Sequence, residues 1–142
     1  MLALPYAVKL LAGRDKSEAK LRAALEKKAY PPSDIDAAIA RVKALGYLDE
    51  TRFAETKTRE LLRQKKTPSD IRQRLERDGL STSVIDPVVA RETAGFDPLT
   101  AARALLATKK ATGLRGARFL ASRGFDDEII RAVLPGLLDA DE

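Results

Sequence analysis

The side chains best placed to do chemistry in this chain are cations set out at helical spacing. Between Leu45 and Gly79, Arg52, Thr56, Arg59, Arg63 and Lys66 recur about once per turn along one side of an amphipathic run, while Phe53, Ala54, Lys57, Leu61 and Lys65 fall on the other. A row with four cations and no carboxylate suits the phosphates or acidic side chains of a polyanion. The solvated face of an ordinary surface helix has the same pattern, and periodicity alone does not separate the two. Lys65 and Lys66 close one helix and Lys109 and Lys110 another. There a positive charge also stabilises the negative end of the helix dipole by about 0.3–1 kcal/mol.

A second basic patch favours the polyanion. Arg115 and Arg118 lie one turn apart on the outer side of a later helix, close in sequence to Lys109 and Lys110, and residues 98–125 contain no anion at all. Arg72, on the helix after the first stripe, completes the candidate set. Nothing marks a helix for reading base edges, so the contacts expected are to phosphates, with single- or double-stranded DNA and without sequence preference. The aromatics Tyr6, Tyr30, Tyr47, Phe53, Phe96, Phe119 and Phe125 sit at unit junctions or on apolar stripes, which points to core packing more than base stacking. Phe119 is at the edge of its helix's apolar side.

Other chemistries lack their residues. With no cysteine and no histidine, the chain has no thiolate, no disulfide and none of the commonest general base or metal ligand. Its carboxylates fall at helix caps or beside lysine and arginine, and no glycine-rich loop runs into a lysine that would cradle a nucleotide. The expectation is a protein that is not an enzyme and needs no metal or cofactor. A formal charge of +5, from 26 cations against 21 anions, is a mild excess, so its placement matters more than its sum. Residues 1–30 are basic, whereas Asp126, Asp127, Glu128, Asp139, Asp141 and Glu142 make the last seventeen residues acidic. The apolar stretch from Leu2 to Ala12 is too short to span a bilayer and holds Pro5 and Lys9, so a soluble, cytoplasmic chain with no membrane partner is expected.

The elements that must position these cations read as helices throughout. Pro5 suits a helix start and Gly13 a left-handed end. Ser17 is the next N-cap, followed by Leu21 and Leu25, and Pro31-Pro32 forces a break. Ser33 is expected to cap a third helix carrying Ile35, Ile39, Val42 and Leu45 up to Gly46. Asp49 caps the basic helix, with Glu50 near its positive end, and Thr67-Pro68 opens the next. In the sixth, Pro87 either kinks the helix or moves its start to Asp86.

A shift of 50 residues lays Ser17 on Thr67, Leu21 on Ile71, Leu25 on Leu75, Tyr30 on Leu80, Ile35 on Ile85 and Ile39 on Val89. A further shift of 45 lays Thr67 on Thr112, Leu75 on Leu120, Gly79 on Gly124, Leu80 on Phe125 and Val89 on Leu134, with Gly116 opposite Ile71. Pro98 begins a helix whose Leu105-Leu106 and Lys109-Lys110 echo Leu61-Leu62 and Lys65-Lys66. The expected fold is all-α: three tandem three-helix repeats, over 1–48, 49–95 and 96–142, in an elongated, curved array.

The turn Gly46-Tyr47-Leu48-Asp49, with Arg52, Phe53 and Ala54, and the following K-K-T-P-S-D-I-R-Q-R-L-E-R-D-G-L that contains Gly79, resemble the RecX family of recombinase regulators. So do S-E-A-K-L-R-A-A-L-E-K-K-A-Y near the start and R-F-L-A-S-R-G-F-D-D-E-I-I-R-A-V-L, with Gly124, near the end. The chain departs from that pattern at Lys20, at Pro87 and at Ala29, where a glycine is expected before Tyr30. The resemblance implies three three-helix modules that bind the RecA filament, restrain its ATPase, strand exchange and growth, and contact DNA, with a role in recombination, repair and the SOS response. On that reading the protein acts as a monomer, with Arg52, Arg59, Arg63, Lys65, Lys66, Arg72, Lys109, Lys110, Arg115 and Arg118 as its contact residues. A stand-alone non-specific DNA-binding protein and a helical protein-interaction scaffold are the rival classes.

Overall fold

Several helices begin where a side chain accepts a hydrogen bond from one of the first amides. The Lys20 amide donates to Ser17 Oγ at 3.2 Å, the Arg52 amide to Asp49 Oδ1 at 3.0 Å, the Asp70 amide to Thr67 Oγ1 at 3.1 Å and the Ile129 amide to Asp126 Oδ1 at 3.0 Å. The computed structural model describes residues 3–136, so Leu2 and the acidic Asp139, Asp141 and Glu142 lie outside the described residues. Among the described residues there are nine helices and no strand. They are α1 (Ala3–Gly13), α2 (Glu18–Lys27), α3 (Pro32–Ala44), α4 (Glu50–Arg63), α5 (Pro68–Arg77), α6 (Thr82–Glu92), α7 (Pro98–Lys109), α8 (Gly113–Ser122) and α9 (Asp127–Val133).

The helices close three separate cores. Leu21, Leu25, Ile35, Ile39 and Val42 fill the first, Leu61, Ile71, Leu75, Ile85, Val88 and Val89 the second, and Ala102, Leu105, Leu120, Phe125 and Ile130 the third. Burying each large aliphatic side chain contributes about 1.5–3 kcal/mol. Each helix pair in extensive contact lies within a single repeat, α4 with α6 and α1 with α3 foremost. The chain exposes 8676 Å², against about 7,200 Å² for a compact monomer of its mass. The result is an extended array of three-helix units rather than one globule.

The 50- and 45-residue overlays are realised in three dimensions. Leu21 and Ile71, Leu25, Leu75 and Leu120, and Ile35, Ile85 and Ile130 are all buried at matching positions. Gly116 stands where Ile71 would be, and Leu106 and Leu134 come within 3.1 and 3.3 Å of where its β-carbon would stand. Large neighbours thus take up the space the small residue leaves.

The repeats meet at their glycines. Gly79 follows α5 at φ +88, and a β-carbon on it would stand 2.5 Å from Ala19 Cβ at the start of α2. Gly124, after α8 at φ +94, would place one 2.5 Å from Thr67 Oγ1 at the start of α5. Ala29 holds the same left-handed conformation at φ 62 but is exposed, with its methyl group open to solvent. This accounts for the missing glycine before Tyr30.

Four local expectations are corrected. Gly13 is the last residue of α1 without a left-handed φ, so that helix ends without a glycine cap. α3 begins at Pro32 with Pro31 as its N-cap, and Ser33 falls inside the first turn, because a proline there has φ preset and no amide to satisfy. Pro87 does not move the start of α6 to Asp86. The helix runs Thr82–Glu92 around it, forgoing one hydrogen bond to the Ser83 carbonyl. In α4 the buried face is Ala54, Thr58 and Leu61, with Lys57 half-buried beside it and Lys65 exposed beyond the helix.

Candidate polyanion interface

The exposed side of α4 carries Arg52, Thr56, Arg59 and Arg63, with Lys66 half-buried just beyond the helix. Two of these arginines are engaged within the protein. Arg52 Nε and Nη2 donate to the two carboxylate oxygens of Asp15 at 3.0 and 2.9 Å, and its guanidinium also reaches the carbonyls of Gly46 and Tyr47 at 3.3 and 3.1 Å. Arg59 makes a two-point pair with Glu92 at 3.0 and 2.7 Å. Each carboxylate raises the pKa of its arginine through these hydrogen bonds, and Arg59 holds Glu92 below the usual carboxylate range.

Arg72 on α5 is paired with Asp86 on α6. A shift of 50 residues turns this pair into Arg22 and Asp36, which meet at 2.8 Å between α2 and α3. The repeated ion pair staples the second helix of a unit to its third.

The remaining candidates have no carboxylate within ion-pair distance among the described residues: Arg63, Lys65, Lys66, Lys109, Lys110, Arg115 and Arg118. All but the half-buried Lys66 are exposed. Lys65 and Lys110 both adopt the left-handed conformation, at φ 66 and 56, that lets the chain leave α4 and α7. The amides of Lys66 and Ala111 then donate back to Leu61 and Leu106 at 3.0 and 3.3 Å. In this register Lys110 matches Lys65, while Lys109 matches Gln64 and Lys66 matches Ala111, so the two lysine pairs are offset by one residue.

The third repeat adds one cation that periodicity did not single out, Arg123, beside the candidate Lys109. Lys109 Nζ lies 5.5 Å from the centre of the Phe119 ring and the Arg123 guanidinium 5.3 Å from it. Phe119 packs against the third core at the same time. Tyr6 and Tyr30 pair at 6.2 Å over the first core, whereas Tyr47 is 48% exposed. No helix among the described residues is long and apolar enough to cross a membrane.

The family model for the RecX first three-helix domain matches residues 3–42. A protein named Regulatory protein RecX from Halorhodospira halophila is 32% identical, over 96% of this chain and 88% of its own. The chain belongs to the RecX family. A second RecX, from Chlorobaculum tepidum, is 34% identical over 91% of this chain and 84% of its own. Two solved structures share the fold: a regulatory protein RecX superposes with a TM-score of 0.76 at 18% identity, covering 99% of this chain and 70% of that one. RecX from Lactobacillus salivarius does so with 0.73 at 16%, covering 95% and 94%.

The turn that carries the likeness to RecX is built as a helix exchange. Gly46, at φ 78, lets the Tyr47 amide return to the Val42 carbonyl at 2.9 Å, Leu48 drops into the first core, and Asp49 caps α4. Ala54 is fully buried one turn later, with Phe53 packed against the second core. These RecX positions therefore hold the first repeat to the second.

Proposed function

We propose that this RecX-family chain binds the filament of a RecA-type recombinase together with its DNA, in the cytoplasm and as a monomer. On this reading it restrains ATP hydrolysis, strand exchange and filament growth without a reactive centre of its own. The three repeats, 1–48, 49–95 and 96–142, would span neighbouring protomers and resist their conformational cycle. The observation that carries the reading is the set of exposed cations with no internal carboxylate partner among the described residues, Arg63 and Lys65 at the end of the second repeat's first helix and Lys109, Lys110, Arg115 and Arg118 in the third. They are free to meet phosphate or acidic protein surface. Arg52, Arg59 and Arg72 are assigned chiefly to holding the repeats in shape, since their charges are already met.

The test is inhibition of DNA-dependent ATP hydrolysis by a purified recombinase. Arg115→Glu with Arg118→Glu is expected to weaken inhibition about tenfold or more, as is Lys109→Glu with Lys110→Glu, and both effects should shrink as salt rises. Full inhibition by either double variant overturns the assignment.

A further inference from the structure

At the junction of the second and third repeats, three half-buried cations gather near one carboxylate. Lys66 follows the left-handed residue beyond α4, and Arg74 on α5 reaches Asp70 Oδ2 through Nε at 3.4 Å. Arg123 immediately precedes Gly124, where an added β-carbon would lie 2.5 Å from Thr67 Oγ1 and 3.6 Å from Asp70 Cβ. Lys66, Arg74 and Arg123 are all half-buried. Burial, and then the positive charges of Arg123 and Arg74, lower the pKa of Lys66. Lys66 has no carboxylate within ion-pair distance among the described residues.

The two junctions differ in where their charges fall: moved back 50 residues, the carboxylate of Asp70 becomes Lys20 and Arg74 becomes Ala24. Moved back 45 residues, Arg123 becomes Asp78, half-buried at the first junction, where its carbonyl accepts the Ser17 hydroxyl at 2.6 Å. Moved back 50, Lys66 becomes Lys16. The first junction therefore holds a carboxylate at the register position where the second holds a guanidinium. Like charges gathered at a half-buried junction repel one another, and an anion would restore the balance.

We propose that Lys66, Arg74 and Arg123 form an anion site that takes one phosphate group, from inorganic phosphate or a nucleic-acid phosphodiester, and that its occupancy fastens the second repeat to the third. Two guanidinium forks and an ammonium match the oxygens of a phosphate, and Arg74 is tied to Asp70 through one nitrogen only. This deepens the polyanion reading and rests on it for the phosphodiester, yet its first probe, inorganic phosphate, does not depend on recombinase or DNA.

The experiment follows thermal unfolding of the full chain as inorganic phosphate replaces chloride at constant ionic strength. Phosphate is expected to raise the midpoint beyond chloride. Arg123→Asp, which brings the first junction's residue type into the second, should abolish that response and raise the phosphate-free midpoint. Arg123→Gln should abolish the response alone, and Arg103→Asp on α7 should leave it intact. Equal responses to the two anions, a response that survives both Arg123 variants, or one lost equally in Arg103→Asp overturns the site. A short oligothymidylate separates the sources. Binding weakened about tenfold in Arg123→Gln supports a phosphodiester at the site, and unchanged binding with the phosphate response lost supports free phosphate. If the oligonucleotide does not bind at all while phosphate still acts, the DNA reading fails and the site stands.

Discussion

Ser17 and Asp78, 61 residues apart, are joined by a hydrogen bond of 2.6 Å in which the Ser17 hydroxyl donates to the Asp78 carbonyl. The same oxygen accepts the Lys20 amide and caps α2, so one buried hydroxyl both starts a helix and ties the first repeat to the second. Alongside it the Glu18 amide donates to Glu50 Oε2 at 3.3 Å, which links the starts of α2 and α4. Ser17→Ala removes the cap and leaves a carbonyl short of a donor. It is expected to cost about 1–3 kcal/mol in urea unfolding, whereas Ser17→Thr should keep most of the parent stability because threonine stands at the equivalent position 67.

Gly79→Ala and Gly124→Ala each combine a left-handed backbone with a β-carbon 2.5 Å from the preceding repeat. A destabilisation of about 2–4 kcal/mol is expected for each. Ala29→Gly is the control: it has the same backbone with no neighbour, and should be neutral or stabilising by up to about 1 kcal/mol. Chemical denaturation of the three variants checks the contrast.

Thr58 is fully buried in α4, and its hydroxyl has no hydrogen-bond partner among the described residues. Thr58→Val keeps the shape and removes the unmatched oxygen. Stability is expected to be unchanged or higher by up to about 1–2 kcal/mol, as read from the unfolding midpoint.

Glu92 is held below the usual carboxylate pKa by the Arg59 guanidinium, so its stabilising contribution is present above the ordinary glutamate range and fades as pH falls through the lowered value. Glu92→Gln should therefore reduce stability near neutral pH and flatten the acid side of the stability profile, more clearly in low salt than in high. A midpoint that falls with acid as steeply as in the parent chain would show that other carboxylates dominate.

Much of this architecture is legible in the sequence because caps and buried aliphatics recur together. Ser17, Thr67 and Thr112 begin the second helix of each unit, and Leu25, Leu75 and Leu120 fill the same place in each core. The candidate site is harder to read. Periodicity puts Arg52 and Arg59 on an outer face but does not show that Asp15 and Glu92, 37 and 33 residues away, fold back to meet them. Arg72 does carry a signal, since Asp86 lies 14 residues on, as Asp36 does from Arg22. The convergence of Lys66, Arg74 and Arg123 has none, because it arises where two repeats meet.

Three cores that each close on their own helices make the molecule modular. A whole unit inserted or deleted at a glycine junction would change the reach of the protein by one step, with one more or one fewer joint and no interior reopened. Length in such a chain can evolve by duplication while each existing unit keeps its fold.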